Sequence, residues 1–211
     1  MKHGTVLVFA GGEMAPSDYP VPAADYVIAA DSGLDHALAA GVTVNLLVGD
    51  LDSISPEGLA AATAGDVSIE RHPTDKDATD LELALGAAVR YGAERIVVVG
   101  GSGGRIDHLL ANAFLLTSPA WADVDVEWLV GPAHILAIRE EATIAGSPGD
   151  TLTLLAVGEP ADGVTTEGLR FELDNDVLLA SSTRGVSNVL VESEATIRVH
   201  NGVVLAIHQR A

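Results

Sequence analysis

The sequence predicts an α/β N-terminal domain with a doubly wound, mostly parallel sheet, followed by a C-terminal all-β domain of sandwich or barrel type. Through residue 130, short apolar runs typical of buried strands alternate with helical patterns, as in parallel sheets whose strands are joined by helices. Beyond residue 130, helical periodicity disappears and short strand-like runs follow one another between turn signals. A short linker at Gly131-Pro132 separates the two patterns, so we expect domains at residues 1–130 and 131–211.

Each element of the first domain has its own sequence signal. Five short apolar runs predict strands, at residues 5–10, 26–30, 46–49, 67–70 and 95–99. Four segments predict helices, at residues 34–40, from 56 onward, 81–91 and 106–116. Ser55 and Pro56 are a preferred cap and first residue of a helix, and Gly41 and Gly92 are typical helix ends.

The second domain contains only strand and turn signals. Its strand-like runs are residues 135–139, 151–157, 168–173, 177–180, 195–200 and 203–208. Asn201-Gly202, between two alternating runs, predicts a tight hairpin, and Asp174-Asn175-Asp176 predicts another turn. Short strands joined in this way predict a small antiparallel sandwich or barrel.

The composition narrows the classes of function. The formal net charge of the 211 residues is -19, so the surface repels nucleic acid, and an ATP site would need metal ions or local cations. The absence of cysteine excludes disulfides, thiolate zinc sites and cysteine nucleophiles. Residues 1–10 predict a first strand rather than a signal peptide, and no apolar stretch approaches the roughly 20 residues that span a bilayer. We therefore expect a cytoplasmic protein without nucleic-acid or membrane partners.

Polar clusters follow the predicted strands of the first domain, where ligands bind in open α/β sheets. Asp31-Ser32-Gly33 follows the second strand, and Asp50 and Asp52 follow the third. Two carboxylates one residue apart on a turn can point into the same space, and Mg²⁺ prefers oxygen ligands. The same residues also fit a plain turn with Asx hydrogen bonds ahead of the Ser55 cap.

A second acidic cluster surrounds a lysine. Residues 75–80 contain three aspartates and Lys76, the only lysine beyond residue 2. A lysine among carboxylates could bind phosphate as a point charge. Thr79, with a glutamate three residues later, also predicts a capping box at a helix start. Both interpretations can hold, because the cap would fix the geometry from which Asp77 and Asp80 project.

A glycine-rich segment, residues 100–104, follows the fifth predicted strand and opens a helix. Glycines let a backbone approach phosphate closely, and a helix N-terminus offers N–H donors. Arg105 strengthens this interpretation, since a guanidinium pairs bidentately with phosphoryl oxygens. Asp107 and His108 lie in the first turn of this helix. The alternative to a functional role for them is capping of the helix and solvation of its surface. Carboxylates, cations and a glycine loop together are what phosphoryl-type transfer requires.

This ordered set of segments resembles the thiamine pyrophosphokinase (thiamine diphosphokinase) family. The matching segments of the first domain are Ala30-Asp31-Ser32-Gly33, residues 49–53, residues 75–80 and Gly103-Gly104-Arg105-Ile106-Asp107-His108. Those of the second domain are residues 165–171, Ser187-Asn188 and residues 202–205. The resemblance covers nearly the whole chain, and the ordered set carries it rather than any single motif.

The resemblance implies an ATP-binding α/β domain, a β domain and a homodimer that holds thiamine where two subunits meet. The implied reaction moves the terminal two phosphates of ATP to the thiamine hydroxyl and leaves AMP. The implied Mg²⁺ ligands are Asp50, Asp52 and Asp80. The implied nucleotide and phosphate side comprises Asp31, Ser32, Lys76, Asp77, Thr79, Gly103, Gly104, Arg105 and His108. The implied thiamine side comprises Phe171, Ser187 and Asn188.

Two roles stay open at this point. Either Asp77 or Asp107 could accept the proton of the thiamine hydroxyl. Phe171 fits stacking on the cationic thiazolium ring and equally fits a core position on a strand. Two positions also depart from the family, since Ser32 stands where the family usually has glycine and Phe171 where it often has tryptophan.

Three other functions share part of this pattern. An Asp-x-Asp segment after a strand also serves nucleotide-sugar glycosyltransferases, although the β domain with Ser187-Asn188 argues against them. A diphosphokinase acting on another hydroxylated heterocycle such as a pterin is the second alternative. The third is a non-catalytic sensor of thiamine diphosphate or a nucleotide. Several expected metal ligands favour an enzyme over a sensor, because a nucleotide binder has less need of them.

Overall fold

The computed structural model describes residues 3–13, 17–103 and 105–211. The chain divides into two units, Met1–Gly131 and Pro132–Ala211. Each unit has its own core of buried apolar side chains. None of the helices in this described part of the chain combines the length and the apolar character needed to cross a membrane.

The first unit is a six-stranded parallel sheet whose strands are connected mainly by helices. The strands are β1 (His3–Ala10), β2 (Tyr26–Ala30), β3 (Leu46–Gly49), β4 (Ser68–Arg71), β5 (Ala93–Gly100) and β6 (Asp125–Val130). The α-helices are α1 (Gly33–Ala39), α2 (Pro56–Ala64), α3 (Asp80–Tyr91) and α4 (Ile106–Leu115), and a 3₁₀ turn spans Pro119–Trp121. The strand order is β6-β5-β1-β2-β3-β4. The direction of winding reverses beside β1, which leaves a crevice at the carboxyl ends of the strands. The predicted doubly wound sheet is confirmed.

Helix ends in the first unit follow the predicted caps. The Ser55 hydroxyl accepts the Gly58 N–H at 2.9 Å at the start of α2. The Thr79 hydroxyl accepts the Glu82 N–H at 3.2 Å at the start of α3. Helix α3 ends at Gly92, whose φ of 96° lies in the left-handed region that favours glycine. These caps fix where the loops that carry the acidic clusters begin and end.

Strand β6 is absent from the predicted strands because its sequence mixes acidic and apolar residues. The neighbouring strand compensates for the charge: Arg95 Nη2 donates to Glu127 Oε2 at 2.9 Å, and the same guanidinium donates from Nε to Oε1. The Trp128 ring is buried, and its Nε1 donates to the Gly100 carbonyl at 2.6 Å. A charge that has a partner one strand away cannot be recognised from the local sequence pattern.

The second unit is an antiparallel β sandwich. Its strands are β7 (Ala133–Ile138), β8 (Glu141–Ala145), β9 (Thr151–Ala156), β10 (Ala161–Glu167), β11 (Asp176–Leu178), β12 (Asn188–Val189), β13 (Glu194–Arg198) and β14 (Val204–Gln209). One sheet has the order β12-β9-β14-β7 and the other β11-β10-β13-β8. Leu152, Leu190 and Ile197 are fully buried in one shared core. The predicted sandwich is confirmed.

Two local predictions in the second unit are wrong. Residues 168–173 were expected as a strand, but the strand is the preceding segment, Ala161–Glu167, and only Leu169 makes an isolated bridge, to Leu190. Gly168 causes the break, because its φ of 77° turns the chain away from extended geometry. Asn201-Gly202 does not close a hairpin, since β13 and β14 belong to different sheets.

Candidate active site

A cavity of about 580 Å³ opens at the carboxyl ends of the central strands in the first unit. The predicted site residues that line it are Asp31, Ser32, Asp50, Asp52, Lys76, Thr79, Asp80, Gly103, Arg105 and His108. Gly104 lies outside the described residues. Asp77 and Asp107 are described but do not line this cavity. The clusters that are far apart in sequence therefore meet where the sheet topology predicts a ligand site.

Three carboxylates converge at this edge of the sheet. Asp31 follows β2, Asp50 and Asp52 follow β3, and one oxygen of each lies within 4.8 Å of the other two. Gly49 ends β3 with a φ of 148°, and a Cβ there would lie 3.1 Å from Asp80 Oδ1 and 3.2 Å from Asp31 Cβ. A side chain at this position would therefore crowd the carboxylates. Oxygen donors gathered so closely suit a hard divalent cation.

The segment after β3 is also a hydrogen-bonded turn. The Asp52 N–H donates to Asp50 Oδ1 at 3.3 Å, and Ser53 Oγ donates to Asp52 Oδ1 at 2.9 Å. Leu51, between the two aspartates, has a φ of 70°. The turn and metal interpretations are compatible, because this turn brings both carboxylates to the same cavity.

Asp31 combines a strained backbone conformation with a buried carboxylate that lies near other negative charges. Its side chain is buried, its φ is 47°, and its Oδ1 accepts no hydrogen bond within the described structure. Burial raises the pKa of Asp31, and the charges of Asp80, Asp50 and Asp52 raise it further against the opposing Ser32 N–H. Backbone strain and an unpartnered carboxylate oxygen together are typical of functional sites. A cation among these carboxylates would relieve the repulsion.

Lys76 balances part of this negative charge. Its Nζ lies 3.1 Å from Asp50 Oδ2 and 3.1 Å from Asp80 Oδ1, and all three side chains are largely buried. Burial alone would lower the pKa of Lys76, but the hydrogen bond to Asp50 and the charges of both aspartates outweigh burial and raise the pKa. Burial would likewise raise the pKa of Asp50, yet Lys76 and the Asp52 N–H lower it. Both partners therefore stay charged at neutral pH.

The Lys76–Asp80 contact is an ion pair rather than a well-formed hydrogen bond. The two charged atoms are 3.1 Å apart, but Asp80 Oδ1 has no hydrogen-bond partner of acceptable geometry in the described structure. The distance nevertheless gives a strong charge interaction, because both side chains are shielded from water. Asp80 thus depends on Lys76 for charge compensation.

The glycine loop after β5 is held from two sides. Gly100 and Gly101 have φ values of 83° and 79°. Asn112 of α4 donates from Nδ2 to the Gly101 carbonyl at 3.1 Å, and the Glu13 N–H donates to the Ser102 carbonyl at 2.8 Å. These contacts fix the loop as one wall of the cavity. Backbone N–H groups in such a loop can meet phosphate oxygens.

Arg105 and Asp107 form an exposed ion pair beside this loop. The Arg105 Nε donates to Asp107 Oδ1 at 3.2 Å, and Nη2 donates to Oδ2. Hydrogen bonding to Arg105 lowers the pKa of Asp107 to about 2. A carboxyl with so low a pKa is a weak proton acceptor. Arg105 lines the cavity. Both side chains of the ion pair are solvent-exposed, so the guanidinium can exchange Asp107 for another anion.

Several residues that line the cavity are not among the predicted site residues, and two of them, Asn112 and Gly11, support the site directly. Asn112 is buried, and a single amide among the apolar residues that follow the first turn of α4 was the available signal. Gly11 lies under Ser32, since a Cβ at Gly11 would come within 2.5 Å of the serine hydroxyl. Ser32, the departure from the family pattern, therefore packs against Gly11 and also lines the cavity.

The predicted thiamine-side residues lie together in the second unit. The Phe171 N–H donates to Asn188 Oδ1 at 3.0 Å, and Asn188 Nδ2 donates back to the Phe171 carbonyl at 2.7 Å. Ser187 has a φ of 59°, and its N–H donates to the Thr153 hydroxyl at 3.0 Å. The Phe171 side chain is 66% exposed, so it is not the core residue that the sequence also allowed.

Comparisons with known proteins point to one family for both units. The model described as "Thiamin pyrophosphokinase, catalytic domain" matches residues 20–127. The model described as "Thiamin pyrophosphokinase, vitamin B1 binding domain" matches residues 133–204. The Bacillus subtilis (strain 168) thiamine pyrophosphokinase is 27% identical over 182 residues, which is 85% of each chain.

Solved structures agree with the sequence comparisons. A thiamine pyrophosphokinase from Bacillus subtilis superposes with a TM-score of 0.85 at 26% identity, covering 98% of this chain and 99% of that one. A thiamin pyrophosphokinase family protein from Enterococcus faecalis superposes with a TM-score of 0.82 at 29% identity, with the same coverage. The pterin and sensor alternatives receive no support from these relatives. The chain therefore belongs to the thiamin pyrophosphokinase family and is an ATP-dependent diphosphotransferase.

Proposed function

We propose that this enzyme transfers the terminal diphosphate of Mg-ATP to the thiamine hydroxyl, giving thiamine diphosphate and AMP. The observation that carries the proposal is the convergence of Asp31, Asp50 and Asp52 with Lys76 beside the glycine loop of one cavity. Carboxylates for a metal ion, a cation and backbone donors for phosphate are the parts that phosphoryl-type transfer uses. The test is product analysis: AMP should form from ATP only when thiamine is present.

The donor set suits Mg²⁺. Carboxylate oxygens are its preferred protein ligands, and the buried Asp31 Oδ1 lacks a hydrogen-bond partner among the described residues. We propose Asp50, Asp52 and Asp80 as the ligands, with Asp31 as a further oxygen donor. When bound, the metal ion would supply charge stabilisation to the ATP phosphates. The cytoplasmic location expected from the sequence suits an enzyme that consumes ATP.

The remaining groups bind and orient the phosphates. Lys76 and Arg105 are placed to offset negative charge on the transferred group and on the departing AMP, and Asn112 holds the glycine loop in position. Attack falls on the β-phosphorus, because AMP leaves. Hydrogen bonding to Arg105 lowers the pKa of Asp107 to about 2, which disfavours Asp107 as the proton acceptor and leaves Asp77 as the remaining candidate.

We also propose that the enzyme is a homodimer. Helix α4 carries an exposed apolar stripe, Ile106, Leu110 and Phe114, which are 68%, 51% and 59% exposed. Residues spaced by four lie on one helix face, so the three side chains form one continuous surface. Arg105, His108 and Asn112 of the same segment line the cavity, so a second subunit on this stripe would lie next to it. This placement supports the expectation that thiamine binds where two subunits meet.

Leu110→Glu should convert the dimer to a monomer. A charge in the centre of the stripe would be buried without a partner in the dimer, which costs several kcal/mol, whereas the free helix face tolerates it. Sedimentation velocity of the variant and of the wild type measures the difference. The control is Leu38→Glu, an exposed leucine of α1 that should leave the dimer intact. A wild-type chain that sediments as a monomer, or an L110E variant that stays dimeric, contradicts the proposed interface.

Phe171→Ala should raise the KM for thiamine and leave stability nearly unchanged. An aromatic face on a cationic ring is worth about 0.5–2 kcal/mol, which corresponds to roughly a 2- to 30-fold change in affinity. Because the ring is 66% exposed, its removal leaves no core cavity. Steady-state kinetics with varied thiamine measures the effect. Val191→Ala, also exposed in the second unit, is the matched control, and equal KM values for both variants and the wild type would refute the stacking role.

A further inference from the structure

Lys76 already occupies a cation position within the carboxylate cluster. Its ammonium contacts Asp50 Oδ2 and Asp80 Oδ1 at 3.1 Å each, and its side chain is only 14% exposed. The two aspartates belong to different segments, since Asp50 follows β3 and Asp80 begins α3. A single lysine thus joins the two segments that carry the proposed metal ligands.

The charge balance of the cluster explains why a cation is needed there before any ligand arrives. Four carboxylates, those of Asp31, Asp50, Asp52 and Asp80, line this cavity, and oxygens of the first three lie within 4.8 Å of one another. Arg105, the second lysine or arginine that lines the cavity in the described part of the chain, is paired with Asp107 on the exposed side. Lys76 is therefore placed to hold Asp50 and Asp80 close together, where they would otherwise repel each other.

Because of these contacts, Lys76 would compete with a metal ion for the carboxylate oxygens. Asp50 Oδ2 faces the ammonium, and Asp50 Oδ1 is already used by the Asp52 N–H. A divalent cation that takes Oδ2 of Asp50 or Oδ1 of Asp80 therefore shares or replaces a lysine contact. A released ammonium needs a new partner, and a nucleotide phosphate is a suitable one.

We propose that Lys76 is a resident counter-ion, which competes with the divalent cation for Asp50 and Asp80 and moves to nucleotide phosphate when both ligands bind. The inference rests on the proposed metal and nucleotide roles of the cavity. Metal alone then binds weakly, because it must displace a fixed positive charge. Metal and nucleotide bind cooperatively, because the phosphate gives Lys76 a partner and thereby frees the aspartates.

The test is a titration of the protein with Mn²⁺, with the free ion followed by electron paramagnetic resonance. Without nucleotide, Lys76→Met should bind Mn²⁺ at least about fivefold more tightly than the wild type, since a like charge a few ångströms away costs about 1 kcal/mol or more. Lys76→Arg, which keeps the charge, should stay near the wild type. With α,β-methylene ATP, a non-hydrolysable nucleotide, the wild type should gain Mn²⁺ affinity and Lys76→Met should gain less.

Equal or weaker Mn²⁺ binding by Lys76→Met overturns the counter-ion role. If that variant does not fold, as circular dichroism would show, Lys76→Gln provides the same comparison with a neutral side chain that still donates hydrogen bonds. Asp52→Asn separates this failure from a failure of the proposed function. If Asp52→Asn weakens Mn²⁺ binding while both neutral Lys76 variants leave it unchanged, the metal site stands without a competing lysine. If all of them leave it unchanged, the metal site fails as well.

Discussion

Asp52→Asn should lower turnover at least ~100-fold and leave the fold intact. The Asp52 carboxylate meets Asp31 and Asp50 at the end of β3, and a neutral amide in its place holds a divalent cation poorly. A metal ion supplies several kcal/mol of charge stabilisation in phosphoryl chemistry, and each ~1.4 kcal/mol is tenfold in rate. Asp52 is exposed, and asparagine can still accept the Ser53 hydrogen bond, so stability should change little.

The measurement is kcat at saturating ATP and thiamine, at several Mg²⁺ concentrations. Raised Mg²⁺ should restore part of the Asp52→Asn activity, because the variant has lost affinity for the ion. Asp66→Asn, an exposed aspartate of the first unit outside the cavity, should behave as the wild type. A folded Asp52→Asn variant with near-normal turnover would show that the metal assignment is wrong.

Asp150→Asn should reduce the free energy of unfolding by about 3 kcal/mol at pH 7. The carboxylate is 4% exposed and accepts three hydrogen bonds: Oδ2 from the Ser147 N–H and His208 Nε2, and Oδ1 from the Ala211 N–H. Asparagine replaces one carboxylate oxygen with an amide nitrogen, which is itself a hydrogen-bond donor. At either oxygen position, this nitrogen would face at least one of the three donors and could not accept its hydrogen bond. The network ties the turn before β9 to the end of the chain, so its loss weakens the whole sandwich.

The pH dependence of this effect follows from the pKa of Asp150. Burial raises the pKa, but the two backbone N–H groups and His208 outweigh it and lower the pKa. A lowered folded-state pKa gives stability that is complete above the unfolded value of about 4 and is lost as pH falls through the folded value. The difference between wild type and Asp150→Asn should therefore be largest at neutral pH and shrink below about pH 4.

His208 also makes the folded state less stable as pH falls, but for a different reason. Burial lowers its pKa more than the Asp150 carboxylate raises it. The folded state therefore prefers neutral imidazole, and stability falls as pH drops below the unfolded value of about 6.5. Urea unfolding at pH 7, 5 and 3.5 measures both effects. The exposed Asp174→Asn is the control, and an Asp150→Asn variant as stable as this control at pH 7 would contradict the role of the network.

The sheet of the first unit was largely predictable from the sequence because a parallel strand buried on both faces leaves a continuous apolar run. The buried run at Val6 and Val8 of β1 is of this kind. Strands whose polar groups find partners across the sheet leave no such signal, as β6 with Glu127 shows. In the second unit, the β10 segment was missed because its polar residues alternate with buried ones such as Val164 over only seven residues.

The sequence was sufficient to predict which residues converge on the cavity, but it was less informative about which of them contact each other. Asp31, Asp50 and Asp52 each follow a recognisable strand, so the strand rule alone brings them to one edge. Which carboxylate pairs with Lys76 depends on how the loop before α3 folds back, and no local pattern encodes that. The role of Asn112 likewise depends on a contact with a glycine loop eleven residues earlier in the chain.

We expect the enzyme to transfer a diphosphate, and not a single phosphate, from ATP to thiamine. Phosphorus NMR of the enzyme with Mg-ATP and thiamine follows all phosphorylated species in one sample. We expect AMP and thiamine diphosphate to appear in equal amounts, only when thiamine is present, and Asp52→Asn to form neither at a comparable rate. Formation of ADP with a monophosphorylated thiamine, or no reaction from a folded protein that binds Mg-ATP, would contradict this expectation.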